Sequence, residues 1–147
     1  MLEELYFILG LANNAFLIAI FLIRGTRGLA PLQRYGGTYL ILAIPAAIGI
    51  VLVWQEQKSV QYAIFLGIFL AFLVVECLYD FVWKIPFRNN WKPAVPYLCL
   101  YFAMNYGFVV MVWKVWMAGG LLMAGLFIVQ IIVNMATHPP MGKKKVP

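Results

Sequence analysis

The chain has 147 residues, of which 65% are hydrophobic and 11% charged, and its formal net charge is +6 at pH 7. Soluble globular proteins carry about 45–50% apolar and about 25% charged residues, so this composition excludes a soluble domain and indicates an integral membrane protein. The basic residues lie in short segments between apolar runs, which is typical of membrane topology and does not indicate a nucleic-acid partner.

Five apolar runs follow one another along the chain, and each predicts a transmembrane helix, because a hydrocarbon core of roughly 30 Å needs about 20 apolar residues in helical form. Their approximate bounds are 5–23, 35–54, 60–84, 94–113 and 115–137. The segments between them are the basic loop Arg24–Arg34, the polar turn Gln55–Ser59 and the loop Phe87–Pro93. A polar tail over 138–147 includes three lysines.

The fourth and fifth runs are separated only by Lys114. As one helix they would measure about 64 Å at 1.5 Å per residue, roughly twice the length that a bilayer needs. We therefore place a break between Lys114 and Gly119-Gly120. The predicted fold is an all-α integral membrane protein, a single domain of five transmembrane helices; a count of four would require one run to be re-entrant.

The distribution of basic residues predicts the orientation. With the N-terminus outside, the inner segments hold Arg24, Arg27, Arg34, Lys84, Arg88, Lys92 and the tail lysines, and the outer segments hold only Lys58 and Lys114. The tryptophans divide in agreement with this, with Trp54, Trp113 and Trp116 at the outer boundary and Trp83 and Trp91 at the inner one. Both patterns predict the N-terminus outside and the C-terminus in the cytoplasm. The acidic Glu3 and Glu4 argue against a signal peptide, and the simplest location is a prokaryotic inner (plasma) membrane.

The third run carries Glu76 and Asp80 in its second half. An acid near mid-bilayer costs about 2.5–3.5 kcal/mol even on the lenient insertion scale, so it normally faces protein or water. Spacing i, i+4 puts the two acids on one helical face, which we expect to point into the bundle. Desolvation disfavours the ionised carboxylate, so we expect Glu76 to be able to hold a proton near neutral pH.

Further polar residues occur at matching depths in other runs. Asn13, Asn14 and Asn105 are near the midplane, Glu76 and Gln130 about 6 Å further in, and Asp80 and Asn134 one turn beyond them. We hypothesise that these seven residues line one column open to the cytoplasm and bind a ligand or ion, with Glu76 as the central group and Asp80 as a gate or vestibule group.

A structural interpretation stands beside this hypothesis. Asp80 is i, i+4 to Lys84, and a surface ion pair would explain it. Glu76 could hydrogen-bond Gln130 or Asn105 as packing, where interhelical bonds average about 0.6 kcal/mol. The asparagines are equally typical of helix–helix contacts. Small residues that would allow close helix approach are Gly119, Gly120, Ala124 and Gly125 on the fifth run and Ala43, Ala46 and Ala47 on the second.

No cofactor, metal or catalytic residue is predicted. The only histidine, His138, follows the last run, which excludes axial haem ligation and leaves no metal cluster. Cys77 and Cys99 have no C-x-x-C partner and are interpreted as buried, unreactive thiols. Walker, G-x-S-x-G and H-E-x-x-H motifs are absent from the sequence.

The segment Asp80–Phe87, DFVWKIPF, resembles the acid-x-x-x-Q-x-P-F segment of the sterol-isomerase and sigma-2 receptor superfamily of small helical membrane proteins. The resemblance implies that a carboxylate at this place can serve the binding of an amphipathic cation, such as an amine or a sterol cation. This chain has Lys84 where the pattern has glutamine, a shorter following loop and one extra helix, and the resemblance covers one helix end.

Three functions remain open. The first is binding or transport of a small ligand, cationic, amphipathic or proton-coupled, through the intramembrane carboxylate. The second is an accessory or scaffolding membrane subunit without a site of its own, and the third is a small membrane enzyme acting on a lipid or isoprenoid, with Glu76 and Asp80 as acid and base. The expected partners are the lipid bilayer, anionic headgroups at the inner basic loops, and a second copy or a larger membrane complex.

Overall fold

A computed structural model describes residues 1–27, 37–83 and 91–137, and this part of the chain is all-helical. Five helices are long and apolar enough to cross a membrane. They are α1 (Leu2–Arg27), α2 (Gly37–Gln55, with a 3-10 turn at Leu40–Leu42), α3 (Val60–Val82), α4 (Trp91–Val115) and α5 (Met117–Thr137). The prediction of an all-helical chain with five such helices is confirmed.

The helix α1 continues past its apolar run because its polar end packs on α5. The Arg24 guanidinium donates hydrogen bonds to the Asn134 carbonyl oxygen (3.1 Å), to Asn134 Oδ1 (2.7 Å) and to Thr137 Oγ1 (3.0 Å). These acceptors lie in the last turn of α5, where the carbonyls have no backbone amide partner within the helix and a cation is stabilised by the helix dipole. A basic residue predicted as part of a loop therefore joins the two terminal helices.

The helix α3 changes type immediately after Glu76. It begins with Ser59, whose side chain accepts a hydrogen bond from the Gln61 amide, and is α-helical from Val60 to Cys77. The next segment, Leu78–Val82, is π-helical, and the Trp83 amide donates to the Leu78 carbonyl at 2.7 Å. Because a π turn contains more residues than an α turn, residues four apart do not share one helical face there as they would in an α-helix. Glu76 is accordingly buried, with 5% exposure, whereas Asp80 is half-buried.

The break between α4 and α5 is narrower than predicted, since Trp116 is the single non-helical residue between them. The Trp116 amide donates to the Val112 carbonyl at 2.8 Å, and the Gly120 amide donates to the Trp116 carbonyl at 3.0 Å. A Cβ atom at Gly120 would lie 2.7 Å from the Trp113 backbone, so the predicted close approach occurs at this corner. By contrast, Gly125 faces open space within the described structure.

The five helices form a closed bundle. Each helix packs on the next in chain order, α5 returns to α1, and α1 also contacts α4. The core is mainly apolar and aromatic, with Leu66, Phe69, Phe72 and Phe108 fully enclosed. Many of its ring contacts are edge-on or tilted, such as Phe69 against Phe108 with centroids 5.4 Å apart. These geometries are the ones that aromatic quadrupoles favour.

Polar contacts join helix ends at each end of the bundle, and the ends that they join are those that the predicted topology places together. At one end the Leu2 amide donates to the Glu56 carboxylate (3.2 Å), and Lys58 pairs with Glu3 at 2.9 Å. The Arg24 cluster lies at the other end. The outward placement of the N-terminus stays a prediction, and most of the predicted inner loops and the 138–147 tail lie outside the described residues.

Candidate functional site

Among the residues that the structure describes, the core encloses five amide or carboxyl side chains, all of them predicted as site residues. They are Asn13, Asn14, Glu76, Asn105 and Gln130. Polar groups are buried in apolar surroundings only at a cost unless they are hydrogen-bonded. The five fall into two neighbouring groups, one around Gln130 and one around Glu76.

The first group joins α1, α4 and α5 through Gln130. Its Nε2 donates to Asn14 Oδ1 at 3.2 Å, and its Oε1 accepts from Asn105 Nδ2 at 3.4 Å. The Tyr101 hydroxyl, one turn before Asn105, donates to the same Oε1. Gln130 thus connects three helices and uses both ends of its amide.

The two asparagines of this group also bond to their own helices. Asn14 Nδ2 donates to the Gly10 carbonyl (2.9 Å), and Asn105 Nδ2 donates to the Tyr101 carbonyl (2.9 Å). Asn14 Nδ2 makes a further contact with the Met123 sulfur at 3.8 Å. Bonds back to the carbonyl four residues earlier hold these side chains against the helix surface. The group is therefore rigidly packed.

The second group joins α1, α2 and α3. The fully buried Tyr39 donates its hydroxyl to Asn13 Oδ1 at 2.6 Å, and it lies close enough to Glu76 and Tyr101 to interact with both electrostatically. The Phe72 ring lies one turn before Glu76 and contacts both tyrosines, with centroid distances of 6.4 Å to Tyr39 and 6.2 Å to Tyr101. The two groups are neighbours across this ring.

Two buried amide atoms of the cluster keep hydrogen-bonding capacity within the described part of the chain. Asn13 Nδ2 and Asn105 Oδ1 are enclosed, and neither atom has a hydrogen-bond partner there. The first is a donor and the second an acceptor, so the cluster offers both kinds of group. Buried polar atoms of proteins rarely lack a hydrogen-bond partner outside functional or hydrated sites.

Two predicted site residues are placed differently from the rest. Asn134 is bonded to Arg24 and belongs to the α1–α5 end contact. Asp80 lies half-buried in the π-helical segment. Lys84, which was expected to pair with it, lies outside the described residues. Residues at the same depth on two helices need not lie on sides of those helices that face each other. The Asn134 side chain faces α1.

Sequence reasoning missed Tyr39 and Tyr101, which supply the two buried hydroxyls of the site. Both stand in apolar runs, where tyrosine is normally interpreted as core or interface packing. Tyr101 had one usable signal, since it lies four residues before Asn105 and shares its face. Tyr39 had none, because its role depends on how α2 packs against α1 and α3.

The described residues contain no group of three or more His, Cys, Asp or Glu side chains that could hold a metal ion. The interpretation of both cysteines as buried is wrong. Cys77 is half-buried and Cys99 is exposed, because it lies on the outward face of α4. In a membrane that face would contact lipid.

Comparison with protein families, with curated proteins and with solved structures finds no match, so the likeness of Asp80–Phe87 to the sterol-isomerase and sigma-2 receptor superfamily stays a local resemblance.

Proposed function

We propose that this protein is a small polytopic membrane protein that binds or transports a small ligand in a proton-dependent manner, with Glu76 as the proton-binding group. The observation that carries the proposal is the enclosure of a carboxyl group, 5% exposed, in the middle of an apolar five-helix bundle. Ionisable residues in such positions are costly, and they typically mark proton relays and substrate paths.

The surroundings of Glu76 support proton exchange. The Tyr39 hydroxyl interacts with the carboxyl electrostatically and bonds to Asn13. The Asn13 amide nitrogen has donor capacity that no described residue uses. Because the Tyr39 hydroxyl donates its proton to Asn13, its oxygen is left as an acceptor, which favours the protonated form of a carboxyl within reach.

The π-helical segment supports movement at this place. It begins two residues after Glu76 and contains Asp80. Such segments occur frequently at functional sites, and we propose that this one allows the helix register to change. A change in the charge of Glu76 could thereby be coupled to the position of Asp80 at the helix end.

The test is the infrared absorption of protonated carboxyl groups in the protein reconstituted into lipid bilayers, followed through a pH titration. We expect a carbonyl band that titrates in the wild type and is lost in Glu76→Gln. Glu56→Gln is the matched control, because it removes a carboxyl at the helix end and should keep the band. An unchanged band in Glu76→Gln would remove Glu76 from the mechanism.

A second candidate function is that of an accessory membrane subunit. The Gln130 group favours it, since its interhelical hydrogen bonds serve packing and enclose the side chain completely. This function predicts that the protein purifies from its native membrane with a larger complex, and that Glu76→Gln leaves every pH-dependent response unaltered. A monodisperse isolated particle with a titrating Glu76 band would count against it.

A further inference from the structure

A separate cavity opens at the end of the bundle that holds the N-terminus. Its volume is about 300 Å³, which is at the lower end of the range for small-molecule sites. It lies between the first turns of α1 and α3 and the corner where α4 meets α5. Most of its lining is charged or aromatic: Glu3, Glu4, Tyr6, Phe7, Tyr62 and Trp116.

The aromatic side chains around the cavity hold one another in place. Tyr6 meets Tyr62 edge-on, with ring centroids 5.1 Å apart, and Phe7 meets Trp116 with centroids 5.6 Å apart. Tyr6 and Tyr62 are buried, whereas Trp116 is half exposed. Four aromatic side chains from three places in the chain therefore surround one space. Aromatic rings attract cations because their faces are electron-rich.

The charged lining of the cavity is acidic. Among the described residues, Glu3 and Glu4 are the charged side chains that line it, and no described Lys or Arg does. The Glu3 carboxylate forms an ion pair with Lys58 at 2.9 Å. Glu4 is exposed and takes part in no ion pair among the described residues. Two other described cations lie at this end: the N-terminal ammonium, 3.8 Å from the Glu56 carboxylate, and Lys114, which donates to the Gln61 side chain. The carboxylate of Glu4 remains to balance a positive ligand.

We propose that this cavity binds a small organic ammonium ion, with Glu4 as the counter-ion and with Tyr6, Tyr62 and Trp116 as its aromatic surroundings. A carboxylate beside several aromatic rings is the arrangement that recognises alkylated ammonium groups. An anion would be repelled by Glu3 and Glu4, and a neutral apolar molecule would gain nothing from them. The same chemistry occurs in free amines and in the headgroups of amine-containing lipids.

This site does not depend on Glu76 or on the function proposed above. It lies at the end of the bundle, and no residue is shared between its lining and the buried polar cluster. If both sites operate, the cavity would select the ligand and the buried carboxyl would bind the proton.

The test is choline binding, measured by calorimetry on the full chain in nanodiscs of phosphatidylglycerol, a lipid without an ammonium group. We expect saturable binding of choline. Its uncharged carbon isostere, in which a tert-butyl group replaces the trimethylammonium group, should bind roughly tenfold more weakly. Equal binding of the two molecules, or no binding of choline, would overturn the proposal.

Matched variants locate the site. Glu4→Gln and Trp116→Leu should each weaken choline binding roughly tenfold. Glu56→Gln removes the same charge at the same end, and Trp113→Phe alters a tryptophan beside the corner; neither residue lines the cavity, so both should bind as the wild type does. An equal loss of choline affinity in Glu56→Gln would mean that the general negative charge of this surface attracts choline. It would overturn the assignment of the cavity as the binding site. Melting temperatures of all variants identify any loss caused by unfolding.

Two further measurements separate the sources of the ammonium group and the two proposals. Weaker choline binding in phosphatidylethanolamine nanodiscs would support occupancy by a lipid headgroup, and unchanged binding would support a soluble amine. Glu76→Gln should bind choline normally, and Glu4→Gln should keep the titrating infrared band. Failure of one proposal is thereby distinguishable from failure of the other.

Discussion

Tyr39 on α2 donates a hydrogen bond of 2.6 Å to Asn13 on α1, and both side chains are fully buried. Among the described residues this bond connects the two helices in the core, and it fixes the phenol within electrostatic range of Glu76 on α3. Its loss would affect the packing of three helices as well as the surroundings of the carboxyl group.

Replacing Tyr39 by Phe removes the donor and leaves Asn13 Oδ1 buried without its partner. A buried polar atom left in this way costs about 1–3 kcal/mol, so the free energy of unfolding in detergent should fall by that amount. The double variant Tyr39→Phe/Asn13→Leu should recover most of the loss, since both partners are then apolar. Tyr106→Phe, at an exposed site, is the control. A loss no larger than the control's would contradict the role assigned to the bond.

The pair Asn14 and Gln130 should show energetic coupling. Their hydrogen bond spans α1 and α5, and interhelical bonds of this kind average about 0.6 kcal/mol, with a maximum of about 1.7 kcal/mol. A double-mutant cycle with alanine at both positions measures the coupling from unfolding free energies. Asn13 with Gln130 is the matched cycle and should give a value near zero. An equal coupling energy in both cycles would mean that the substitutions loosen the helix packing in general. It would contradict a specific Asn14–Gln130 hydrogen bond.

Two transmembrane glycines should respond in opposite ways to alanine. A Cβ atom at Gly107 on α4 would overlap the Phe65 ring on α3, whereas one at Gly67 would meet no atom within 4 Å. Gly107→Ala should destabilise the protein by about 1–3 kcal/mol through overpacking. Gly67→Ala should be neutral or stabilising by up to about 1 kcal/mol through helix propensity. Thermal unfolding of the two variants side by side tests this contrast, and equal effects would contradict the α3–α4 contact.

Alkaline pH should weaken the contact between α1 and the α2–α3 turn. The hydrogen bond from Lys58 to Glu3, aided by the charge of Glu3, raises the pKa of Lys58 above its ordinary value of 10.5. A pKa raised by folding means a contribution to stability that is fully present below the ordinary value and is lost as pH rises through the raised value. The melting temperature of Lys58→Gln should therefore change less across this alkaline range than that of the wild type.

The size of this alkaline effect should be small, because both side chains are more than one-third exposed and salt screens their attraction. Glu3→Gln is the companion variant and should flatten the alkaline profile to the same degree. Parallel profiles for the wild type and both variants, at low and at high salt, would contradict the ion pair.

The number and type of helices could be predicted because the bilayer sets the length of an apolar run directly. The inward face of each helix was harder to predict, since these helices are apolar on every side and only their polar residues distinguish one face. That signal was sufficient for Asn13, Asn14, Glu76, Asn105 and Gln130, which are all buried. Whether these residues bind a ligand is a prediction that the fold does not test.

The partners of these residues were not predictable from depth. Gln130 bonds to Asn14 and Asn105, while Glu76 interacts electrostatically with Tyr39. Such pairing depends on the order in which helices pack around the bundle. The π-helical segment was equally inaccessible, because it arises from the way α3 ends against its neighbours and has no periodic signature in an apolar sequence.

The single-residue corner at Trp116 has a mechanical consequence. Backbone hydrogen bonds run into and out of this residue, and Gly119 and Gly120 pack against the tryptophans beside it. Helices α4 and α5 are therefore joined at this corner without a flexible linker between them. An opening of the bundle that leaves this corner intact would have to occur where the α4–α5 pair contacts α1 or α3, or where α2 contacts α1 or α3.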